Sequence, residues 1–347
     1  MILRIAAVEL EPLNLPLRQL FVTALGSKRV SRNLRVVIRL EDGTAGRGEA
    51  SASLAWPDQT QAAMKKVLAP LACGLAGIPI AHYRRLSARA WEEAGRYPPA
   101  AAALECALLD AYTRSRGIPL WKWFGGKRRS VITALTISAW PPARAARAAG
   151  GAAKKGFTRL KVKLTGKDAE GDFDRLRAVH RAAPRAALWL DGNQGFTSHQ
   201  AIALCARARR ENLPIRLFEQ PVHRKDWDGL AQIERETRLP VVADESVRSP
   251  DEARKMIRRG GVSAINVKLA KCGISGALEI LRLARKAGVR LMIGCMAESA
   301  IGLSPSVALA CGTGGFHYID LDSHLLVVSP LGETGFVTRG ARLAISP

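Results

Sequence analysis

The chain has 347 residues and a formal net charge of +23, from 53 Lys and Arg against 30 Asp and Glu. Hydrophobic residues make up 48% of it, enough for a large core, yet no stretch reaches the roughly 20 apolar residues of a membrane span. The N-terminus lacks the apolar run of a signal peptide, and the six scattered cysteines form no C-x-x-C pair. We therefore expect a cytoplasmic protein without a membrane partner, a disulfide framework or a zinc site.

The excess of basic residues would attract polyanions, so nucleic-acid binding is an alternative function. However, the basic residues are dispersed over Ala-rich helical patterns, and aromatic residues are only 5% of the chain. No known nucleic-acid-binding motif accompanies them. We interpret them as solvated helix faces and expect no nucleic-acid partner.

Residues 1–126 predict an α+β domain. The segment "NLRVVIRLEDGTAGRGEA" is typical of a β-hairpin whose turn is Asp42-Gly43. Two helical patterns follow, "DQTQAAMKKVLAPLA" and "PPAAAALECALLDAYTRSRG". Gly125-Gly126 marks the predicted domain boundary.

Residues 127–322 alternate short apolar runs with helical patterns, which indicates parallel strands joined by crossover helices. Eight such runs predict an α/β fold, a (β/α)8-type TIM barrel. They are "VITALTIS", "RLKVKL", "LWLD", "IRLFE", "VVAD", "AINVKL", "RLMIG" and "HYIDLD". An open dinucleotide-binding sheet is disfavoured, because no G-x-G-x-x-G follows the first run. Residues 323–347 predict strand and turn that return to the N-terminal domain.

Polar residues stand where successive runs end: Lys163, Asp191, Glu219, Asp244 and Lys268, between 24 and 28 residues apart. Residues one repeat apart at strand ends converge on one mouth of a barrel, where barrel active sites lie. The three carboxylates form an oxygen-rich, sulfur-free set that suits Mg²⁺. Taken singly, each could instead be the N-cap of the following helix.

Lys161 and Lys163 alternate with apolar neighbours and therefore share one face of their strand. Lysine is a poor base at its ordinary pKa of about 10.4. A neighbouring cation disfavours the ammonium form, so Lys161 and Mg²⁺ would both lower the pKa of Lys163. Lys163 and Lys268 would approach a metal-bound substrate from opposite sides of the mouth.

The motifs "KVKL", "DGNQ", "FEQP", "ADES", "NVKLAKCGI" and "GCMAES" resemble the enolase superfamily in its muconate-lactonizing-enzyme-like subgroup, over the whole chain. The resemblance implies an N-terminal capping domain completed by the C-terminal segment, and a homo-oligomer. It implies abstraction of a proton α to a carboxylate, giving an enediolate stabilised by Mg²⁺. It assigns Mg²⁺ to Asp191, Glu219 and Asp244.

By the same resemblance Lys163 and Lys268 are paired acid/base catalysts, whose natural outcome is epimerisation or racemisation by 1,1-proton transfer. Lys161 would tune Lys163 or help to hold the substrate carboxylate. Asn193 and Glu245 stand beside the metal ligands and would support them indirectly.

The last run narrows the choice of reaction. Asp320 and Asp322 lie two residues apart, hence on one face, and a substrate ammonium would explain such a pair. Asp-x-Asp here resembles dipeptide epimerases, which grip the N-terminal amine of a dipeptide. The alternatives are an N-acylamino acid racemase, an o-succinylbenzoate synthase and a muconate-type cycloisomerase, whose substrates carry no free ammonium. One aspartate could also cap the next turn while the other is solvated.

Substrate specificity is expected from the capping domain, whose segment "LFVTALGSKRVSRN" would close over the site as a loop. By the resemblance, Ala-Glu epimerases carry an arginine at the position of Gly26, where it meets the glutamate side chain of the substrate. Lys28 or Arg29 could replace that arginine here. An acidic C-terminal substrate residue is therefore disfavoured. Glu298 would meet a polar or cationic substrate side chain, or act only as a buried acceptor. Thr136 and Ser138 would line the mouth or merely satisfy backbone groups.

Overall fold

The strands and helices follow one another in chain order through a computed structural model that describes residues 2–329 and 335–346. The strands are β1 (Ile5–Thr23), β2 (Gly26–Leu40), β3 (Ala45–Ala50), β4 (Ser130–Ile132), β5 (Leu135–Ile137), β6 (Arg159–Lys163), β7 (Ala187–Asp191), β8 (Ile215–Glu219), β9 (Val241–Ala243), β10 (Ala264–Val267), β11 (Arg290–Gly294), β12 (Tyr318–Asp320), β13 (Phe336–Arg339) and β14 (Arg342–Ile345). The helices are α1 (Gln61–Cys73), α2 (Tyr83–Ala94), α3 (Pro98–Ser115), α4 (Leu120–Trp123), α5 (Pro142–Lys154), α6 (Ala169–Ala182), α7 (Ser198–Arg210), α8 (Trp227–Thr237), α9 (Pro250–Arg259), α10 (Leu269–Ala287), α11 (Ala300–Thr313) and α12 (Ser323–Leu326).

The N-terminal sheet is antiparallel in the order β1-β2-β3; helices α1 and α3 pack on it, and α2 packs on these two helices. The predicted hairpin is confirmed as β2 and β3, and its turn contains Gly43 at a φ of +84°, a left-handed conformation that favours glycine. Strand β3 lies directly against the Ala-rich helix α3. Gly46 and Gly48 permit this approach, since neither carries a Cβ that would meet the helix backbone.

The second sheet has eight parallel strands, β5 to β12, in chain order. A backbone hydrogen bond of 2.9 Å from Ala134 N, directly before β5, to Ile319 O in β12 closes the sheet. The expected TIM barrel with a separate N-terminal domain is therefore confirmed. Its interior is filled by a buried apolar layer, listed as Ala134, Trp189, Leu217, Val242, Ala264 and Met292.

The first predicted run, "VITALTIS", does not form one barrel strand. It divides at Thr133, whose backbone N–H turns away to donate to Ala341 O at 2.9 Å. Only β5 enters the barrel, while β4 forms a third, antiparallel sheet with β14 and β13. The C-terminal segment also reaches β1, because Val328 N donates to Pro16 O at 2.7 Å. The C-terminal segment thus contacts both the barrel side and the N-terminal sheet. The domain boundaries at residues 126 and 322 remain predictions.

The segment expected to close over the site as a loop is instead the end of a long β-hairpin. Phe21 pairs with Lys28 in register, and Thr23 pairs with Gly26. The hairpin end is fixed to the barrel, since Trp140 Nε1 donates to Leu20 O at 2.7 Å. The ladder, whose register shifts between Pro16 and Phe21, therefore holds capping-domain side chains over the mouth.

Among the helices of residues 2–329 and 335–346, none is both long and apolar enough to cross a membrane.

The contact between β3 and α3 gives a test of the fold. A Cβ on Gly48 would lie 2.0 Å from Ala103 O, so Gly48→Ala must push the strand from the helix. We expect it to lower the free energy of unfolding by about 1–3 kcal/mol, as overpacking does. Gly151→Ala is the matched control, because a Cβ there has open space, and it should be neutral or stabilise by up to about 1 kcal/mol. Urea unfolding of both variants measures the difference, and equal midpoints would contradict the packing.

Candidate active site

The polar residues predicted at strand ends gather at one mouth of the barrel. Lys163, Asp191 and Glu219 are the last residues of β6, β7 and β8, and they are aligned in register. Asp244 and Lys268 directly follow β9 and β10. The alternative role as helix N-caps is wrong for the carboxylates, because the next helices are capped by other residues, Thr197, Asp226 and Ser249.

Strand order determines how these groups face one another. Strands β6 and β10 are four positions apart in a closed sheet of eight, so Lys163 and Lys268 stand on opposite sides of the mouth. The three carboxylates occupy the strands between them. Strand β12, which carries Asp320, lies four positions from β8 and therefore opposite the middle carboxylate, Glu219.

Each lysine at the mouth is buried and paired with a carboxylate. Lys163 Nζ lies 2.5 Å from Asp191 Oδ2, and Lys268 Nζ lies 2.6 Å from Asp244 Oδ2. The two lysine residues are only 6% and 8% exposed. A buried ammonium is tolerated only with such a partner, so these pairs fix where the two nitrogen atoms lie.

Lys161 occupies the middle of the mouth. Its ammonium donates to Asp320 and to Glu219, with a distance of 3.3 Å to Glu219 Oε2. Asp191 Oδ2 is a further 3.5 Å neighbour. Burial opposes the charge, but these three carboxylates outweigh it and raise the pKa of Lys161 well above its ordinary value. Lys161 is therefore a fixed cation.

The three carboxyl groups at the strand ends differ in how readily they ionise. Burial opposes ionisation of Asp244, yet Lys268 and Lys271 hold its pKa well below its usual range. Burial also opposes ionisation of Asp191, but Lys163 and Lys161 outweigh it and lower the pKa of Asp191. For Glu219, burial and the nearby Asp191 prevail and raise its pKa to about 8.

Asp320 and Asp322 are both buried at the end of β12. Asp322 begins helix α12 without capping it through its side chain. Its Oδ2 instead accepts the backbone N–H of Thr136 at 2.6 Å. Burial and the neighbouring Asp320 raise the pKa of Asp322 to about 6. Asp320 Oδ1 is buried and has no hydrogen-bond partner among the described residues.

Three buried residues that support the site were missed by the sequence reasoning. Lys271 Nζ donates to Asp244 Oδ1 and to Asp244 O, both at 2.7 Å. Asn266 Nδ2 donates to Glu219 Oε1 at 2.7 Å. Gln220 Oε1 accepts the N–H of Asp244 at 3.0 Å. Asn266 could have been found, since it lies two residues before Lys268 and hence on its face of the strand.

Asn193 and Glu245 also belong to this network, as predicted from their positions beside the carboxylates. Asn193 accepts from Lys163 at 3.1 Å and donates to Glu245 at 3.3 Å. Burial and Asp244 raise the pKa of Glu245 to about 7. Its Oε2 is buried and has no partner among the residues described.

The site fits a divalent cation by its charge and its donor atoms. Within residues 2–329 and 335–346, no three His, Cys, Asp or Glu side chains converge as a preformed metal centre. Lysines are interposed between the carboxylates instead. Six buried carboxyl groups face four buried lysines, namely Asp191, Glu219, Asp244, Glu245, Asp320 and Asp322 against Lys161, Lys163, Lys268 and Lys271. That leaves two negative charges to be neutralised, either by protons or by one cation such as Mg²⁺, which prefers these hard oxygen ligands.

A cavity of about 90 Å³ lies above these residues. Its wall includes Thr136, three lysines and two aspartates, namely Lys161, Lys163, Lys268, Asp320 and Asp322. The capping domain supplies a mostly apolar roof, formed by Phe21, Leu25, Leu54 and Trp56. Met296 and Leu326 extend the apolar surface on the barrel side.

The predicted specificity residues lie at different depths. Gly26 is exposed at the hairpin turn and is not among the described residues that line the cavity, whereas Lys28 does line it. Glu298 is buried outside the lining, where burial and Glu49 raise its pKa to about 8. Burial lowers the pKa of Lys28 to about 8 despite the nearby Glu298. Ser138 is buried next to Ala139 at the base of the hairpin contact.

Known proteins share both parts of this architecture. The description "Mandelate racemase / muconate lactonizing enzyme, N-terminal domain" matches residues 7–125, and "Enolase C-terminal domain-like" matches residues 143–342. The aromatic dipeptide epimerase of Herpetosiphon aurantiacus is 39% identical over 342 residues, which are 99% of this chain and 96% of the relative.

Solved structures of dipeptide epimerases superpose on nearly the whole chain. The L-Ala-D/L-Glu epimerase of Bacillus subtilis, in a substrate-liganded complex, superposes with a TM-score of 0.94 at 29% identity, covering 99% of this chain and 96% of the other. The dipeptide epimerase of Enterococcus faecalis V583, complexed with Mg and the dipeptide L-Leu-L-Tyr, gives 0.91 at 28% identity, covering 99% and 97%. The resemblance seen in the motifs is confirmed: the chain belongs to the mandelate racemase / muconate lactonizing enzyme family of the enolase superfamily.

Proposed function

We propose that the chain is a Mg²⁺-dependent dipeptide epimerase that inverts the α-carbon of the C-terminal residue by 1,1-proton transfer. The observation that carries this proposal is the placement of Lys163 and Lys268 on opposite sides of one mouth. An α-carbon that has lost its proton is planar. A proton returned from the opposite face therefore inverts its configuration, and two lysines facing each other can perform both steps.

Asp191, Glu219 and Asp244 would hold the Mg²⁺, with Glu245 nearby. Bound Mg²⁺ would supply a positive charge to the substrate carboxylate and so acidify the adjacent α-proton. Lys163 would then act from the β6 side and Lys268 from the β10 side. Lys161, a fixed cation between them, would also favour a carboxylate at the centre of the mouth.

The dipeptide substrate follows from the aspartates of β12. They lie opposite the carboxylates of β7 to β9, so a molecule whose carboxylate is held at one side would present its other end to Asp320 and Asp322. Asp320 Oδ1, buried without a partner in the described chain, suits a substrate ammonium. The epimerases from Herpetosiphon aurantiacus and Enterococcus faecalis support this substrate class. The six free cysteines support the predicted cytoplasmic location, and a homo-oligomer remains a prediction.

The direct test is incorporation of deuterium from D₂O into pooled L-L dipeptides, followed by mass spectrometry in the presence of Mg²⁺. The pools should contain acidic, cationic or apolar C-terminal residues. We expect apolar residues to exchange fastest, because the roof is apolar, and cationic ones slowest, because Lys28 faces the cavity. Samples with EDTA report the metal requirement. Absence of exchange in every pool with Mg²⁺ present would refute the proposal.

Replacing the two lysines should separate the two halves of the reaction. Lys163→Ala and Lys268→Ala should each abolish epimerisation, because inversion needs both faces. Each variant should lower deuterium exchange of one epimer by at least about 100-fold while retaining exchange of the other. The measurement is single-epimer exchange followed by NMR. Equal loss for both epimers in both variants would argue against opposed bases.

The aspartates distinguish a dipeptide epimerase from an N-acylamino acid racemase. Asp320→Asn and Asp322→Asn remove charge from the proposed ammonium site, so each should raise KM for the dipeptide by about 10-fold or more. The matched comparison is the same dipeptide with an acetylated amine, which should be a poor substrate for all three proteins. If the acetylated compound is preferred by the wild type, the racemase alternative is correct.

The raised pKa of Asp322 predicts a pH dependence. Its carboxyl group is neutral below about pH 6, and a substrate amine is neutral above about pH 8. At saturating Mg²⁺, which would hold Glu219 and Glu245 in their ionised forms, kcat/KM of the wild type should therefore decline on the acidic side near pH 6 and on the basic side near pH 8. Asp322→Asn should lose the acidic decline and keep the basic one, as measured from pH 5 to pH 9. An unchanged acidic decline in the variant would assign it to another group.

A further inference from the structure

The turn that carries Lys268 is separate from the helix that follows it. Helix α10 starts at Leu269, but Gly273 interrupts it with a φ of +63° and a ψ of −171°. Residues 268–272 therefore form a short turn of their own, closed by a 2.9 Å hydrogen bond from Lys271 N to Lys268 O. Lys268 is held by this turn, whereas Lys163 belongs to a strand paired on both sides.

A buried glutamate of the capping domain binds the far end of the turn. Glu105 lies in the middle of α3 and is only 3% exposed. It accepts the N–H of Ile274 at 3.0 Å and the N–H of Ser275 at 2.9 Å, and also the Ser275 hydroxyl. Trp91 Nε1 donates to it at 3.1 Å. Glu105 thus satisfies the free N–H groups that begin the regular part of α10, where a carboxylate is electrostatically favoured.

Gly273 is required for this contact on two grounds. Its φ lies in the left-handed region that favours glycine. A Cβ at this position would also lie 1.9 Å from Glu105 Oε2. The chain therefore brings a capping-domain carboxylate against the barrel backbone at a position that carries no side chain.

The turn is consequently fixed from two directions. On the barrel side Lys271 Nζ donates to Asp244 O at 2.7 Å and to Asn266 O at 2.8 Å. On the capping side Glu105 holds Ile274 and Ser275. Lys268 lies in the segment between Asn266, which Lys271 contacts, and Ile274, which Glu105 holds.

We propose that Glu105 is a positioning residue for Lys268, through which the capping domain aligns one of the two opposed lysines. The proposal rests on the proposed epimerase function, because it concerns the proton transfer assigned to Lys268. It predicts an asymmetry between the two epimers that a purely structural role for Glu105 would not produce.

The test uses Glu105→Gln in the single-epimer exchange assay, with L-Leu-L-Tyr and L-Leu-D-Tyr as the first probes. Glutamine presents one acceptor oxygen instead of two, so it cannot satisfy both backbone N–H groups. The epimer whose exchange is lost in Lys268→Ala should exchange about tenfold or more slowly in Glu105→Gln, as small misplacements of a catalytic group cause. The other epimer should stay within about twofold of the wild type, and KM should change little.

Glu49→Gln is the matched control. Glu49 is another buried capping-domain glutamate, and it accepts the N–H groups of Ser299 and Gly302 at the start of α11. Within the described part of the chain its hydrogen bonds go to Asn33, Ser299 and Gly302 and not to residues 268–275, so its loss should not separate the two epimers. An equal decline for both epimers in Glu105→Gln, or the same asymmetry in Glu49→Gln, would overturn the proposal.

A readout independent of activity distinguishes failure of this proposal from failure of the proposed function. Amide hydrogen exchange of residues 269–276 should accelerate in Glu105→Gln and remain as in the wild type in Glu49→Gln. Unchanged exchange in Glu105→Gln overturns the positioning role even if no dipeptide is a substrate. Gly273→Ala, which displaces Glu105 from the other side, should reproduce both effects if Glu105→Gln does not fold.

Discussion

The mouth of the barrel depends on the pairing of buried charges. Six carboxyl groups and four lysines lie there nearly out of contact with solvent. An isolated buried charge is strongly unfavourable, so each lysine must find its carboxylate for the chain to fold with these groups inside. Replacing one partner leaves the other charge uncompensated. The arrangement therefore fixes the positions of Lys163 and Lys268 before any substrate arrives.

The pairing with lysines also determines which carboxyl groups at the mouth are ionised. Glu219, Glu245 and Asp322 all have raised pKa values, about 8, 7 and 6, because burial and neighbouring carboxylates act together on them. The lysines neutralise Asp191 and Asp244 instead, whose pKa values are lowered. A site with protonatable carboxyl groups beside ionised ones can accept a divalent cation by releasing protons, so cation binding and pH should be linked.

Much of the fold and of the candidate site could be predicted from sequence, because both follow from regular spacing. A repeat of 24 to 28 residues puts Lys163, Asp191 and Glu219 at equivalent strand ends, and closure of eight strands brings them together. The division of "VITALTIS" at Thr133 could not be predicted, since it depends on pairing with strands more than 200 residues later. The role of Glu105 was hidden for the same reason, since its partners Ile274 and Ser275 lie 169 and 170 residues away. Lys271 contacts residues within about one repeat, but it follows no strand-end pattern.

The barrel and the capping domain contribute different things to the proposed reaction. Lys163 and Lys268 define one axis across the mouth, while the carboxylates of β7 to β9 and the aspartates of β12 define a second axis at a right angle to it. Proton transfer runs along the first axis and substrate length along the second. The capping domain contacts both lysine-bearing segments: the centroid of the Phe21 ring lies 5.9 Å from Lys163 Nζ, and Glu105 holds the residues that follow the Lys268 turn. The Glu105 contact differs in that it acts through backbone N–H groups, and so ties the domain that covers the cavity to the segment that carries one base.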